Sequence, residues 1–257
     1  MKYLILSFDD GRNDFYSNVY PILKEKNIPS TLNVSTGFVE HTTDCSFEPL
    51  SYEKIKDILK DGLCEVALHG HRHLHLETYE DLESNFQKIS KNLGVITSGL
   101  AMPYTQYPSS NVISFINDNN IKYCRIGEVS SKKKITKKFF HFMYKIFGEN
   151  SFYEKEQIFN VDSLLKLKKR FEKKGFFILH SIPILKKMDF NFYCNIIKKC
   201  PDNSCICFMF HSIDSDKKNS SKFTWDFDNF KKLVDEIVTF ENNKLIRIVK
   251  TCDLIYF

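Results

Sequence analysis

Residues 2–11 read KYLILSFDDG. Tyr3–Leu6 and Phe8 make a nearly continuous apolar run, as expected of a parallel strand covered on both faces. Asp9 and Asp10 stand where that strand ends. Neighbours in a regular strand point to opposite faces, but Gly11 permits a turn in which both carboxylates reach one cavity. Taken alone, Asp-Asp-Gly also describes an ordinary polar turn, so the rest of the chain has to decide.

The same alternation recurs along the sequence. Asn18–Lys26 reads as a helix and Ser30–Ser35 as a strand. Ser51 opens a helix in SYEKIKDILKDG that Gly62 ends. Strands follow at Glu65–Leu68, Gly99–Tyr104 and Lys122–Ile126, with helices Tyr79–Asn92 and Asn111–Asn119 between them. Beyond an irregular stretch come helix Val161–Lys174, strand Phe176–His180, helix Phe190–Lys199 and strand Ile206–His211. Helix Phe227–Phe240, strand Leu245–Val249 and a short C-terminal helix complete the chain. Such repeats argue for a parallel sheet. Their number, in 257 residues, favours a distorted (β/α) barrel of seven to eight repeats, with its chemistry at the C-terminal ends of the strands. One domain over residues 1–257 is expected, with an insertion at 131–160.

A hydrophobic fraction of 42% with 27% charged residues is that of a globular protein. The net charge of +5 is too small to imply nucleic acid. No apolar stretch reaches the length of a membrane span, and Ser7 and Asp9 cut short the only apolar run near the start. No export signal is read there, and the expected location is the cytoplasm. The eight cysteines form no CxxC pair and read as buried, reduced thiols. SKKKITKKFFHFMYKIFG, residues 131–148, interleaves lysines with aromatics. It reads as an insertion helix packing its aromatic face on the barrel rather than as an interfacial helix.

The third strand runs into EVALHGHRHLHL, residues 65–76. His69 and His73 are four apart, so on a helical turn both imidazoles face one side; His71 and His75 have the same spacing. Either pair, joined by a carboxylate from another strand end, would make the His₂–carboxylate set that holds zinc or iron.

With these residues assembled, the chain resembles the polysaccharide deacetylases of carbohydrate esterase family 4, the NodB-homology enzymes. Their first motif, Thr/Ser-Phe-Asp-Asp-Gly, is matched by Ser7–Gly11. Their second, Glu-Ile/Val-x-x-His-Ser/Thr-x-x-His-x-x-Leu, is matched by Glu65, Val66, His69, His73 and Leu76, with Gly70 in place of Ser or Thr. Pro103-Tyr104 matches the end of the third, Arg-x-Pro-Tyr/Phe. The resemblance implies a NodB-like barrel and one divalent metal ion, zinc foremost, held by Asp10, His69 and His73. His71 and His75 would then be bystanders or outer groups.

It also implies roles. Asp9 would take a proton from the attacking water, a backbone N–H near Tyr104 would steady the oxyanion, and a protonated His211 would donate to the departing amine. His180 in FFILHSI is the other candidate acid; His211 in CFMFHSI is preferred because WDFDNF and a last helix–strand–helix unit follow it. The substrate implied is an N-acetylated sugar of surface-polysaccharide synthesis, nucleotide- or lipid-linked.

Two departures stand out. The third-motif Arg is Ala101 here, and no Asp-x-x-Asp-Trp fourth motif follows the fifth strand. Arg125, in YCRIGE, is expected to replace the missing cation by pairing with Asp9. Another amide hydrolase on the same residues, a deformylase or amidase, and a carbohydrate-binding relic without activity are the alternatives.

Overall fold

The apolar run at the N-terminus forms β1 (Lys2–Phe8), buried on both faces apart from a partly exposed Tyr3. Phe8 stacks on Phe210, ring centroids 4.7 Å apart, and so ties β1 to a strand two hundred residues away. Lys2 is buried because it has work at the barrel floor: its Nζ donates to the carbonyls of Ile197 (2.9 Å) and Lys198 (3.0 Å). These are carbonyls of the last turn of helix Phe190–Lys199, which has no later turn to satisfy them.

The computed structural model describes residues 1–127, 159–160, 175–215 and 221–256. The insertion read at 131–160, its lysine–aromatic stretch 131–148 and the helix expected at Val161–Lys174 lie outside these residues, apart from the short strand 159–160.

β2 (Ser30–Val34), β3 (Cys64–Leu68), β4 (Gly99–Ala101) and β5 (Tyr123–Ile126) follow β1 in order, each parallel to the one before. A two-residue strand, β6 (Phe159–Asn160), lies antiparallel to β9 (Ser204–Phe210). β7 (Phe177–His180) pairs with β5, and its continuation β8 (Ile182–Pro183), one residue further on, pairs with β9. β9 in turn lies parallel to β1 over Tyr3–Phe8. The path therefore returns to its start, and the sheet closes into a barrel.

The eighth strand of the sequence reading exists as β12 (Ile246–Ile248), but it takes no separate place in the ring. It pairs with Lys2–Leu4 while β2 pairs with Ser7 and Phe8, so the two share one edge of β1. This is the distortion of the barrel. A small parallel pair, β10 (Ser212–Asp214) and β11 (Thr224–Asp226), extends beyond the end of β9.

Helices pack around the outside through apolar stripes. Helix Tyr52–Leu59 is capped by Ser51, helix Tyr79–Leu93 by Thr78 and helix Ser110–Asp118 by Ser109, each accepting a backbone N–H of the first turn. Helix Tyr79–Leu93 ends at Gly94 in the left-handed conformation. The one helix expected at Asn18–Lys26 is instead a π-turn, Phe15–Val19, leading into an α-helix, Tyr20–Glu25. Among the described residues, no helix is long and apolar enough to cross a membrane.

Candidate active site

The strands deliver their last residues to one end of the barrel. β1 ends at Phe8, and Asp9 still follows its course, donating its N–H to the Phe210 carbonyl (2.9 Å). The chain then turns through two left-handed residues, Asp10 (φ 73°) and Gly11 (φ 72°). Glycine adopts this freely, and aspartate is among the few other residues that tolerate it. The turn is what points both carboxylates inward, and both are buried.

Asp9 is clamped. Arg125 on β5 donates from Nη2 to both of its oxygens, each at 2.7 Å, and Asn33 on β2 donates to Oδ1 at 2.7 Å. Arg125 is itself 1% exposed and donates from Nη1 to Ser181 Oγ at 3.0 Å. The register explains how Arg125 arrives here: it lies directly beside Ala101 on the neighbouring strand. The cation missing at Ala101 is thus present at the same level, one strand over.

His69 directly follows β3 and is held through its backbone and its ring. Its backbone N–H donates to Asn85 Oδ1 (3.0 Å), and its carbonyl accepts from Ser35 Oγ (2.8 Å). Its Nδ1 donates to the Ala101 carbonyl at 2.9 Å, which leaves Nε2 as the lone-pair atom. That Nε2 faces Asp10 Oδ1 at 3.5 Å, and His73 Nε2 faces the same oxygen at 3.4 Å. The three ligand atoms lie within 4.8 Å of one another. Two imidazole nitrogens and a carboxylate oxygen, one histidine oriented by a backbone carbonyl, fit a divalent cation with an open coordination position.

Electrostatics match that donor set. Burial opposes the Asp10 charge, but the adjacent His69 and the positive charge that His211, His69 and His73 can carry outweigh it and hold the carboxyl far below the usual range. Burial likewise opposes a charge on His69, yet Asp9 and Asp10 together raise its pKa. Burial and the positive charge of His69 bring His73 down to about 4.

The other two tract histidines do different things. His71 turns to Thr36 Oγ1 (2.9 Å), away from Asp10. His75 is exposed at the rim, where it bonds Gln106 and stacks on Tyr104 with centroids 4.7 Å apart. Tyr104 in turn lies 4.8 Å from the His73 ring and is 55% exposed. Tyr104 does not continue β4 as the sequence suggested. The strand stops at Ala101; Pro103 has no N–H to pair, and a 3₁₀ turn, Pro103–Thr105, carries Tyr104 at φ 51° and Thr105 at φ 60°.

His211, just beyond β9, brings Nε2 to 3.9 Å from Asp9 Oδ2. Its ring stacks on Phe223 at 4.7 Å, and its buried Nδ1 meets no partner among the described residues. Burial lowers its pKa, against the pull of Asp10 and Asp9. His180, at the end of β7, hydrogen-bonds the Gly127 carbonyl (3.3 Å).

Sequence reasoning missed Asn33, Asn85 and Ser181. A polar residue inside an otherwise apolar strand was the one available signal for Asn33; Asn85, on the outer helix, carried none. It also missed Glu77 and Asp81, which hold the histidine loop from behind. Glu77 explains Gly70: a Cβ there would come 2.4 Å from Glu77 Oε1.

Residues 1–124 match the polysaccharide deacetylase family. The poly-β-1,6-N-acetyl-D-glucosamine N-deacetylase of Staphylococcus aureus strain MRSA252 is 28% identical over 38% of this chain and 39% of its own length. The chain thus spans about two fifths of the length of the curated relatives it matches. Among solved structures, the Bc1960 peptidoglycan N-acetylglucosamine deacetylase aligns over 99% of this chain and 88% of its own at a TM-score of 0.59 and 13% identity. The Xyl-CE4 domain of a multidomain xylanase from the hindgut metagenome of Trinervitermes trinervoides covers 100% of this chain and 90% of its own at a TM-score of 0.55 and 13% identity. At such identities these two likenesses speak for the barrel alone. The match to the polysaccharide deacetylase family thus rests on residues 1–124 and the motifs they carry, a little under half of the chain.

Proposed function

We propose that the chain is a metal-dependent carbohydrate N-deacetylase. The observation that carries the reading is the meeting of a clamped carboxylate, Asp9, with the Asp10–His69–His73 donor set and His211 at one barrel mouth. Asp10, His69 and His73 hold the divalent cation, zinc by preference for this donor set, which when bound acidifies water and polarises the amide carbonyl.

The chain's own residues do the rest. Asp9, held in position by Arg125 and Asn33, accepts the proton of the attacking water at Oδ2, the oxygen that faces both His69 and His211. The Tyr104 backbone N–H steadies the oxyanion, and the exposed Tyr104 ring offers a face for a sugar. His211, whose Nε2 lies 3.9 Å from Asp9 Oδ2, donates a proton from that nitrogen to the leaving amine. Neither an acetyl-enzyme nor a side-chain nucleophile is needed: water adds, the C–N bond breaks, and acetate and a free amino sugar leave.

The substrate we infer is an N-acetylglucosamine unit, in a β-1,6-linked polymer as the name of the Staphylococcus relative describes, or in a nucleotide- or lipid-linked precursor handled in the cytoplasm. The test is acetate release by zinc-loaded protein from β-1,6-linked N-acetylglucosamine oligomers, UDP-N-acetylglucosamine and their N-formyl counterparts. Release of acetate that Asp9→Asn abolishes is expected. Formate release without acetate would make the chain a deformylase instead, and neither product would leave a binding role.

A further inference from the structure

The loop that carries His69 and His73 hangs from two carboxyls that the chemistry above does not use. Asp81, in the first turn of helix Tyr79–Leu93, accepts the backbone N–H of His71 at 2.7 Å, that of Arg72 at 3.2 Å and Arg72 Nε at 2.8 Å. Glu77 Oε1 accepts the Leu74 N–H at 2.7 Å. The backbone N–H groups of His71, Arg72 and Leu74 are therefore tied to one carboxyl or the other.

Both carboxyls are also buried, Asp81 at 2% and Glu77 at 6% exposure, and the charge of Asp81 bears on Glu77. Two ionised carboxylates enclosed together repel and have no donor between them, and one proton on the pair removes both problems. The donors show where it resides. Asp81 is surrounded by N–H groups, whereas the buried Glu77 Oε2 receives none among the described residues. Burial, then the adjacent Asp81, push Glu77 up to about 9. The charged groups facing the pair are Arg72 on the same loop and, beyond His71, the mutually paired Glu40 and Lys88.

We propose that Glu77 is a neutral carboxylic acid donating to the Asp81 carboxylate, and that this pair braces the His69–Leu74 loop in its metal-ligating shape. The inference rests on the reading of Asp10, His69 and His73 as ligands. Glu77 and Asp81 are positioning residues, since neither reaches the metal position or the substrate.

Glu77→Gln keeps the shape and donor of the neutral acid but has no proton to lose. The sign follows from a folded pKa of about 9 against an ordinary value of 4.5. The proton's contribution to wild-type stability is complete below the ordinary value and is lost as pH rises through that window. In metal-free protein unfolded by urea, the wild-type unfolding constant should rise relative to Glu77→Gln, by up to about tenfold per pH unit, and level off above the upper value. An infrared band of a protonated carboxylic acid at pH 7 should be present in wild type and missing from Glu77→Gln. Parallel pH profiles and no such band would overturn the neutral acid, whatever the metal does. For the brace, zinc titration at pH 7 should leave Glu77→Gln within about threefold of wild type, while Asp81→Asn and Glu77→Ala weaken binding about 10–100-fold. Unchanged zinc affinity in Asp81→Asn and Glu77→Ala would overturn the brace. Wild type that binds no zinc would remove the ligand reading and the brace with it, and leave the pH comparison to decide the state of Glu77.

Discussion

Arg125 and Ala101 are register partners on adjacent strands, and the guanidinium of the first occupies the level at which the second lacks one. From there it grips both oxygens of Asp9 at 2.7 Å. Removing one member of a buried pair leaves the other charge uncompensated, at a typical cost of about 3–5 kcal/mol. Arg125→Ala is therefore expected to lower urea-unfolding stability by about that amount and to abolish acetate release. Arg125→Lys keeps the charge but loses the fork, and should fall between. A fully stable, active Arg125→Ala would show that the clamp has no role.

The two histidine pairs of the tract separate by geometry. His69→Ala and His73→Ala should each weaken zinc binding by at least about 100-fold, a loss of an inner ligand. His71→Ala should leave it within about threefold, because His71 turns to Thr36 instead. Metal analysis after dialysis reads both; equal losses at His69 and His71 would contradict the assignment.

Zinc uptake should release protons wherever a ligand imidazole is still protonated, and more from His69 than from His73. Ligation needs neutral imidazoles. In the metal-free protein Asp9 and Asp10 raise the His69 pKa against its burial, whereas His73, at about 4, is neutral at pH 7. Affinity should accordingly climb with pH until His69 is neutral. Calorimetry in buffers of different ionisation enthalpy counts the protons, and a release that does not fall as pH rises would refute this division of labour.

Gly70→Ser brings the second motif to its usual form, yet we expect it to harm this chain. Gly70 has φ +73°, and a Cβ would come 2.4 Å from Glu77 Oε1. The strained backbone and the displaced carboxyl should cost about 1–3 kcal/mol in thermal unfolding and weaken zinc binding. Stability equal to wild type would mean that Glu77 yields easily.

Local chemistry was legible where one element carries the information. The KYLILSFDDG run is long, apolar and ended by a permissive glycine, so its strand and its terminal carboxylates follow from the residues themselves. The cap at Ser51 likewise announces a helix start. The His69/His73 spacing gave the pair, although periodicity alone left His71/His75 equally open.

What needed the tertiary structure is whatever depends on register, closure and burial. No spacing in the chain reveals that Arg125 stands beside Ala101, because strand register is set by packing of whole faces, not by separation in sequence. Nor does it reveal that β12 shares an edge of β1 with β2, or that β8 closes the ring onto β9. Glu77 and Asp81 look like the polar surface of a helix start in the sequence. Only burial against the histidine loop turns them into a pair that shares a proton, because a charge that water would stabilise must, once enclosed, find a partner or be lost.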